Sequence, residues 1–276
     1  TQPARPGCCG GFPDPRPGRG FFVPARAIYL GLIRLDDVTL LQLVVANLAI
    51  FAGALLQGLA GYGIGTLSAP LLFLISPLFL PGPLILNAVL LTVLILWRSR
   101  ANLAFRQVRF AIGGDIVGTL AAVATLAVLT PKGFELTFGI LILVAVLLSV
   151  VGLHPRLNAR NSVIAGGASG YMGTITAVGG PPIALIYQNE RGPLVRANMS
   201  AFFLFASFAS AVALFFTGFI GPREWQLFAA LLPGTLIGFL ASGHLVHRVP
   251  FAALRPVILG IAAIAGISAV VKGLMP

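Results

Sequence analysis

Charge is what this sequence has least of. Of 276 residues, 9% are Asp, Glu, Lys or Arg, where a soluble domain carries roughly 25%. So few charges do not cover a water-facing globule, which excludes a soluble enzyme or binding domain. Cysteine occurs only as the adjacent pair Cys8 and Cys9, so no disulfide framework is encoded. Histidine occurs three times, as His154, His244 and His247, all in loops or at segment ends. His244-x-x-His247 has no Cys or acid beside it, and no metal site is expected there. The sequence has no His-Glu-x-x-His zinc motif and no His inside an apolar segment to activate a serine. Gly113-Gly114-Asp115 resembles part of an intramembrane aspartyl protease, but no second membrane Asp forms a dyad. No catalytic residue, cofactor or enzyme activity is therefore expected. The net charge of +11 does not point to nucleic acid, because the basic residues sit in short loops without aromatic interleaving.

Apolar residues are present in excess: 58% of the chain is hydrophobic and the mean hydropathy is +0.99. The composition implies an all-α polytopic protein with the lipid bilayer as its partner. Residues 1–37 are rich in Pro, Gly and Arg without a period, and are expected to form a disordered tail. Within it, Phe21–Ile33 is apolar but too short to span, which suits a place on the membrane surface. Apolar segments follow at about 38–57, 63–80, 83–97, 108–129 and 134–153. A second set lies at about 161–178, 181–188, 194–218, 224–244 and 252–272.

Two glycine-rich stretches interrupt these runs. Gly58-Leu-Ala-Gly61-Tyr62-Gly63-Ile-Gly65-Thr66-Leu-Ser68-Ala-Pro70 matches Gly170-Tyr-Met-Gly173-Thr174-Ile-Thr176-Ala-Val-Gly179-Gly180-Pro181-Pro182 at a constant offset. Likeness continues beyond them. Gly82-Pro83-Leu84 matches Gly192-Pro193-Leu194, Asn87 matches Asn198 within one residue, and Gly118 matches Gly238. This is an internal duplication, read as repeats 38–157 and 158–276 that together form one transport domain.

Five segments per copy make the second copy enter the membrane upside down, giving inverted repeats. The loops at 98–109, 154–160, 189–196 and 244–255 fall on one side and hold ten Arg. The opposite side holds Lys132 and Arg223, with Lys272 near it. The positive-inside rule then puts the Arg-rich loops in the cytoplasm. The tail is the exception, since it falls outside yet carries five Arg.

Glycine frees the backbone and proline lacks an N–H, so each stretch breaks a helix. Segment 181–188 reaches about 12 Å, short of a hydrocarbon core about 30 Å thick. Each repeat is therefore expected to hold a re-entrant half-helix that begins right after a proline, Pro70 or Pro181/Pro182, near mid-membrane. A helix N-terminus offers free N–H groups and partial positive charge. Two opposed N-termini would form an anion site without a buried Lys or Arg. The expected binding residues are Gly61, Tyr62, Gly63, Gly65, Thr66, Ser68 and Pro70 in the first break. In the second they are Gly173, Thr174, Thr176, Gly179, Gly180 and Pro181. Tyr171 is a further hydroxyl donor, and Gln57, Asn87 and Asn198 are polar candidates nearby. Glycines that only allow close helix packing are the competing explanation. Asp115 is the sole acid away from the very ends of an apolar segment. Its place early in that segment suggests capping or pairing with Arg106 or Arg109, with proton coupling as the functional alternative.

The paired elements Gly61-Tyr-Gly63-Ile-Gly65-Thr-Leu-Ser-Ala-Pro70 and Val178-Gly179-Gly180-Pro181-Pro182 resemble those of the TauE/SafE family, the sulfite exporters, and the regions around Asn87 and Arg196-Ala-Asn198-Met-Ser200 support the likeness. The first copy departs from a run of adjacent glycines, since Tyr62 and Ile64 separate them. The resemblance covers about residues 38–273 and implies transport of a small anionic substrate, sulfite or a sulfonate, commonly outward. It implies a multi-pass protein of a bacterial cytoplasmic membrane. The alternative is a cation-coupled symporter of other small organic anions.

Overall fold

The computed structural model describes residues 38–60, 63–99, 105–151, 155–187, 193–245 and 251–275. The tail, together with Gly61 and Tyr62, lies outside the described residues. Among those described, the chain forms ten α-helices and one 3-10 turn, with no strand. The first five helices are α1 (Leu40–Ala60), α2 (Ile64–Ile75), α3 (Gly82–Ser99), α4 (Phe105–Val128) and α5 (Pro131–Val150), with the 3-10 turn Pro77–Phe79 between α2 and α3. The second five are α6 (Ala159–Thr176), α7 (Gly180–Tyr187), α8 (Pro193–Phe216), α9 (Pro222–Leu245) and α10 (Phe251–Leu274).

Six of these helices, α1, α4, α5, α8, α9 and α10, are long and apolar enough to cross a membrane. At 1.5 Å per residue, 24 residues of α4 or α9 reach about 36 Å. Their outward faces stay apolar: Leu48, Val117, Leu120, Phe216 and Leu240 are all exposed. A helix that is apolar all round belongs in a core or in lipid, and these faces meet lipid. The protein is an integral, multi-pass membrane protein.

Local signals set the helix ends. Thr130 caps α5 by accepting from the Gly133 N–H at 3.1 Å, with Pro131 at the first helical position. Asn158 caps α6 in the same way, accepting from the Asn161 N–H at 2.8 Å. Pro233 stands inside α9 and interrupts its ladder. Asn47 of α1 fills the gap, donating to the Ala230 carbonyl at 3.0 Å and accepting from the Gly234 N–H at 2.9 Å. In hydrocarbon a freed backbone group needs such a partner.

Helix pairing follows the duplication. α1 packs on α9 as α6 packs on α4. α2 packs on α1 and α10, and α7 on α6 and α5. α3 packs on α9 as α8 packs on α4, while α3 with α8 and α5 with α10 are like with like. Exchanging the two halves leaves this pattern unchanged. Matched glycines make matched contacts. A Cβ on Gly118 would enter the Gly167 carbonyl of α6, and one on Gly238 would approach the Phe51 carbonyl of α1 at 2.6 Å. Small residues that let backbones touch replace hydrophobic drive within a membrane. Arg98 of α3 donates to the Phe239 carbonyl and to Ser242 Oγ, each at 3.0 Å, and ties α3 to α9.

One expectation is corrected. The first half-helix does not start after Pro70. α2 begins at Ile64 and carries Pro70 within it. The break is made by Gly63, whose φ of 136° is open to glycine and strained for other residues. Pro70 interrupts the ladder without ending the helix. In the second copy α7 does start at the proline pair, with Gly180 ahead of Pro181 and Pro182.

Candidate functional site

At the first break, the Ile64 N–H donates to Gln57 Oε1 at 3.0 Å, so a side chain of α1 caps α2. The first N–H groups of a helix have no partner inside it. The Leu67 N–H reaches the Gly63 carbonyl at 3.2 Å. Between them stand the N–H groups of Gly65 and Thr66, for which the helical pattern provides no acceptor.

The second break is held more tightly. α6 ends on Ala177 in the left-handed region, with φ 60°. The Ala177 N–H donates to the Gly173 carbonyl at 2.8 Å, and the Val178 N–H to Thr176 Oγ1 at 3.1 Å. Ser169 Oγ donates to the Gly179 carbonyl at 2.6 Å and pins the strap between α6 and α7.

The two breaks touch. A Cβ placed on Gly65 would enter the Ala177 carbonyl. Beside this contact lies a cavity of about 60 Å³. One water needs roughly 10–15 Å³ by the same measure, so the cavity has room for a small polyatomic ion. The first break contributes Gly63, Ile64, Gly65 and Thr66 to its wall, and the second contributes Gly173, Ala177, Gly179 and Gly180. Gln57 and Asp115 line it, as do the hydroxyl residues Thr92, Ser169, Ser207 and Ser210. A smaller cavity of about 10 Å³ lies among Thr66, Pro70, Val178 and Pro181 and the helices α5 and α10. Thr66 lines both.

Other expected site residues stand elsewhere. Ser68 Oγ donates to the Ala49 carbonyl at 2.8 Å, and Thr176 Oγ1 to the Met172 carbonyl at 2.7 Å. The first crosses to α1, and the second is back-bonding within α6, each an outlet for a hydroxyl proton in an apolar interior. Thr174 Oγ1 bonds Ser210 Oγ at 2.8 Å and Thr119 Oγ1 at 3.3 Å. Asn87 donates to the Pro83 carbonyl at 2.9 Å and accepts from Thr235 Oγ1 at 2.6 Å. Asn198 is buried and, like Asn87, is not part of the cavity wall. Tyr171 Oη is 3.2 Å from Thr125 Oγ1.

Asp115 differs from expectation. It is fully buried, and neither carboxylate oxygen has a hydrogen-bond partner among the described residues. Arg109 lies over the Phe110 ring at 4.6 Å instead of pairing with it, and the Arg106 side chain lies outside the described residues. Thr92, Ser169, Ser207 and Ser210 escaped the sequence reading because one Ser or Thr among many carries no signal of direction. No group of three or more His, Cys, Asp or Glu lies together among the described residues.

A family model described as Sulfite exporter TauE/SafE matches residues 45–269. That span contains both breaks and all the residues that line the central cavity. Neither a curated protein nor a solved structure matches the chain.

Proposed function

Because the chain belongs to the sulfite exporter TauE/SafE family of membrane transporters, we propose that it moves sulfite or an organosulfonate outward across a bacterial cytoplasmic membrane. The observation that carries this reading is the cavity at the contact between the two breaks. No Lys or Arg among the described residues lines it, so a bound anion relies on backbone N–H groups, the Thr66 hydroxyl and the Gln57 amide. The α2 N-terminus supplies the N–H groups of Gly65 and Thr66, with partial positive charge behind them. α7 supplies fewer, because Pro181 and Pro182 have none; Gly180 and Ile183 remain in its first turn.

The two halves act as inverted repeats, with the breaks as opposed re-entrant elements and the anion between them. The symmetric helix pairing and the one-sided loop Arg residues support this.

Flux into proteoliposomes tests the function. Sulfite, sulfoacetate, thiosulfate and sulfate are compared, with and without a pH gradient. Sulfite or sulfoacetate is expected to move well above the rate of protein-free liposomes. If none of the four does so, the proposed function is wrong.

A further inference from the structure

The central cavity holds one group that an anion site does not need. Asp115 is 0% exposed, its two carboxylate oxygens are without partners among the described residues, and it forms part of the cavity wall. α6 closes over it, since a Cβ on Gly170 would come within 2.9 Å of Asp115 Oδ1. Neighbouring hydroxyls direct their protons elsewhere: Thr92 to the Ala88 carbonyl, Ser169 to the Gly179 carbonyl and Ser207 to the Phe203 carbonyl.

No described cation neutralises this acid. The helices packed most extensively on α4 are α6 and α8, and Tyr187 of α7 joins the cluster around Val108 and Ala111. α6 carries Arg160, which is exposed at its first turn, and Tyr171, which is bonded to Thr125. α8 carries Arg196, whose side chain lies outside the described residues. α3, across the cavity, carries Arg98, which is bonded to the Phe239 carbonyl and Ser242. On α4 itself, Arg109 lies over Phe110.

An anion in this cavity lies near a buried carboxylate of its own sign. Like charges about 6 Å apart at an effective dielectric of about 20 repel enough to weaken binding roughly a hundredfold. One proton on the carboxylate removes that penalty and occupies no cavity volume. Resting on the anion-site reading above, we propose that Asp115 takes up a proton from solvent when an anion binds, so that the cavity holds anion and proton together. The proton forms an O–H bond on one carboxylate oxygen, and the loaded site carries one negative charge less than it would beside an ionised carboxylate. Linkage makes the effect reciprocal: the bound anion favours the proton as much as the proton favours the anion.

Isethionate is the probe, because a sulfonate keeps a single negative charge across the working pH range. Isethionate is added to the purified full chain in detergent, weakly buffered with a pH indicator. The parent is expected to take up about one proton per anion bound, and to lose affinity by up to about tenfold per pH unit on the alkaline side. Asp115→Asn, a neutral mimic of the protonated acid, is expected to lose both the proton uptake and the pH dependence. The inference is overturned, with the anion site intact, if the parent binds isethionate without proton uptake, requires sodium in its place, or keeps its uptake in Asp115→Asn. The proton measurement on the parent stands even if the variant does not fold. If neither isethionate nor sulfite binds at any pH, the anion site itself is refuted, and this inference with it.

Discussion

Gly65 lies against the Ala177 carbonyl so closely that a Cβ on Gly65 would enter that oxygen. The neighbour is backbone of the other half of the chain, and it cannot rotate aside as a side chain would. Gly65→Ala therefore has to separate the two breaks. Overpacking of this kind costs about 1–3 kcal/mol, and the thermal midpoint of the detergent-purified protein should fall. Gly179→Ala should behave alike, since its Cβ would meet Ser169 Oγ at 2.8 Å and the Ser169 carbonyl at 2.9 Å. A Gly65→Ala protein with the parent's midpoint and flux would show that the breaks do not meet as described.

Gly173 faces the same cavity in a different way. A Cβ there meets only Gly179, at 3.5 Å from its Cα and 3.6 Å from its N, which is ordinary contact. It stands within α6, where Ala is favoured over Gly by up to about 1 kcal/mol. Gly173→Ala should thus keep or raise the thermal midpoint while its methyl fills part of the cavity. Sulfite affinity should drop. Unchanged affinity in a stable Gly173→Ala protein would argue that the anion binds elsewhere.

Gln57 acts through the helix that it caps. Its Oε1 is the acceptor for the Ile64 N–H at 3.0 Å, and Gln57 is 3% exposed. Gln57→Leu removes the acceptor and leaves that donor in an apolar site. An unsatisfied buried group costs about 1–3 kcal/mol. Thermal or denaturant unfolding should register the loss, and a Gln57→Leu protein as stable as the parent would mean that another group caps α2.

The ten helices were legible because each apolar run is bounded by Gly, Pro or charge. The duplication was legible because Gly58 and Gly170, Gly61 and Gly173, and Pro70 and Pro182 keep one constant offset. The start of α2 differs from its sequence signal for a physical reason. A proline after glycines reads as a first helical residue, but Pro70 sits where the helix tolerates the lost N–H, and the turn is made by Gly63. The sequence has several glycines there and does not say which takes the positive φ. Hydroxyl directions were illegible for the same kind of reason. Thr66 and Ser68 are two residues apart on one helix, so one reaches the cavities and the other the Ala49 carbonyl. Asp115 looked peripheral from its place in the segment. That α6 and α8 enclose it is a tertiary fact.

Loop charge predicts orientation. The 98–109 and 244–255 loops hold Arg98, Arg100, Arg106, Arg109, Arg248 and Arg255, which favours the cytoplasm for both. The native cysteines, Cys8 and Cys9, are first replaced by serine, and single cysteines are then placed in each loop. They should react in intact cells only with reagents that cross the membrane. Labelling of both loops by an impermeant reagent would reverse the orientation.

Thr66 is the most informative single position for the anion site. It lines the central cavity and the smaller one beside α5 and α10, so an anion passing between them passes Thr66. Thr66→Val keeps the shape and removes the hydroxyl. Losing one donor to a charged ligand costs about 1.5–3 kcal/mol, or roughly 10- to 150-fold in affinity. Calorimetric titration with sulfite should show that loss with little change in the thermal midpoint. Ser68→Ala is the control two residues away. It removes a bond to the Ala49 carbonyl, so it should lower stability by about 0.5–1.5 kcal/mol and leave sulfite affinity near the parent's. The pair separates a hydroxyl that holds the anion from one that holds the fold. If Ser68→Ala weakens sulfite binding and Thr66→Val does not, the anion sits on the other face of α2 and the central cavity is not its site.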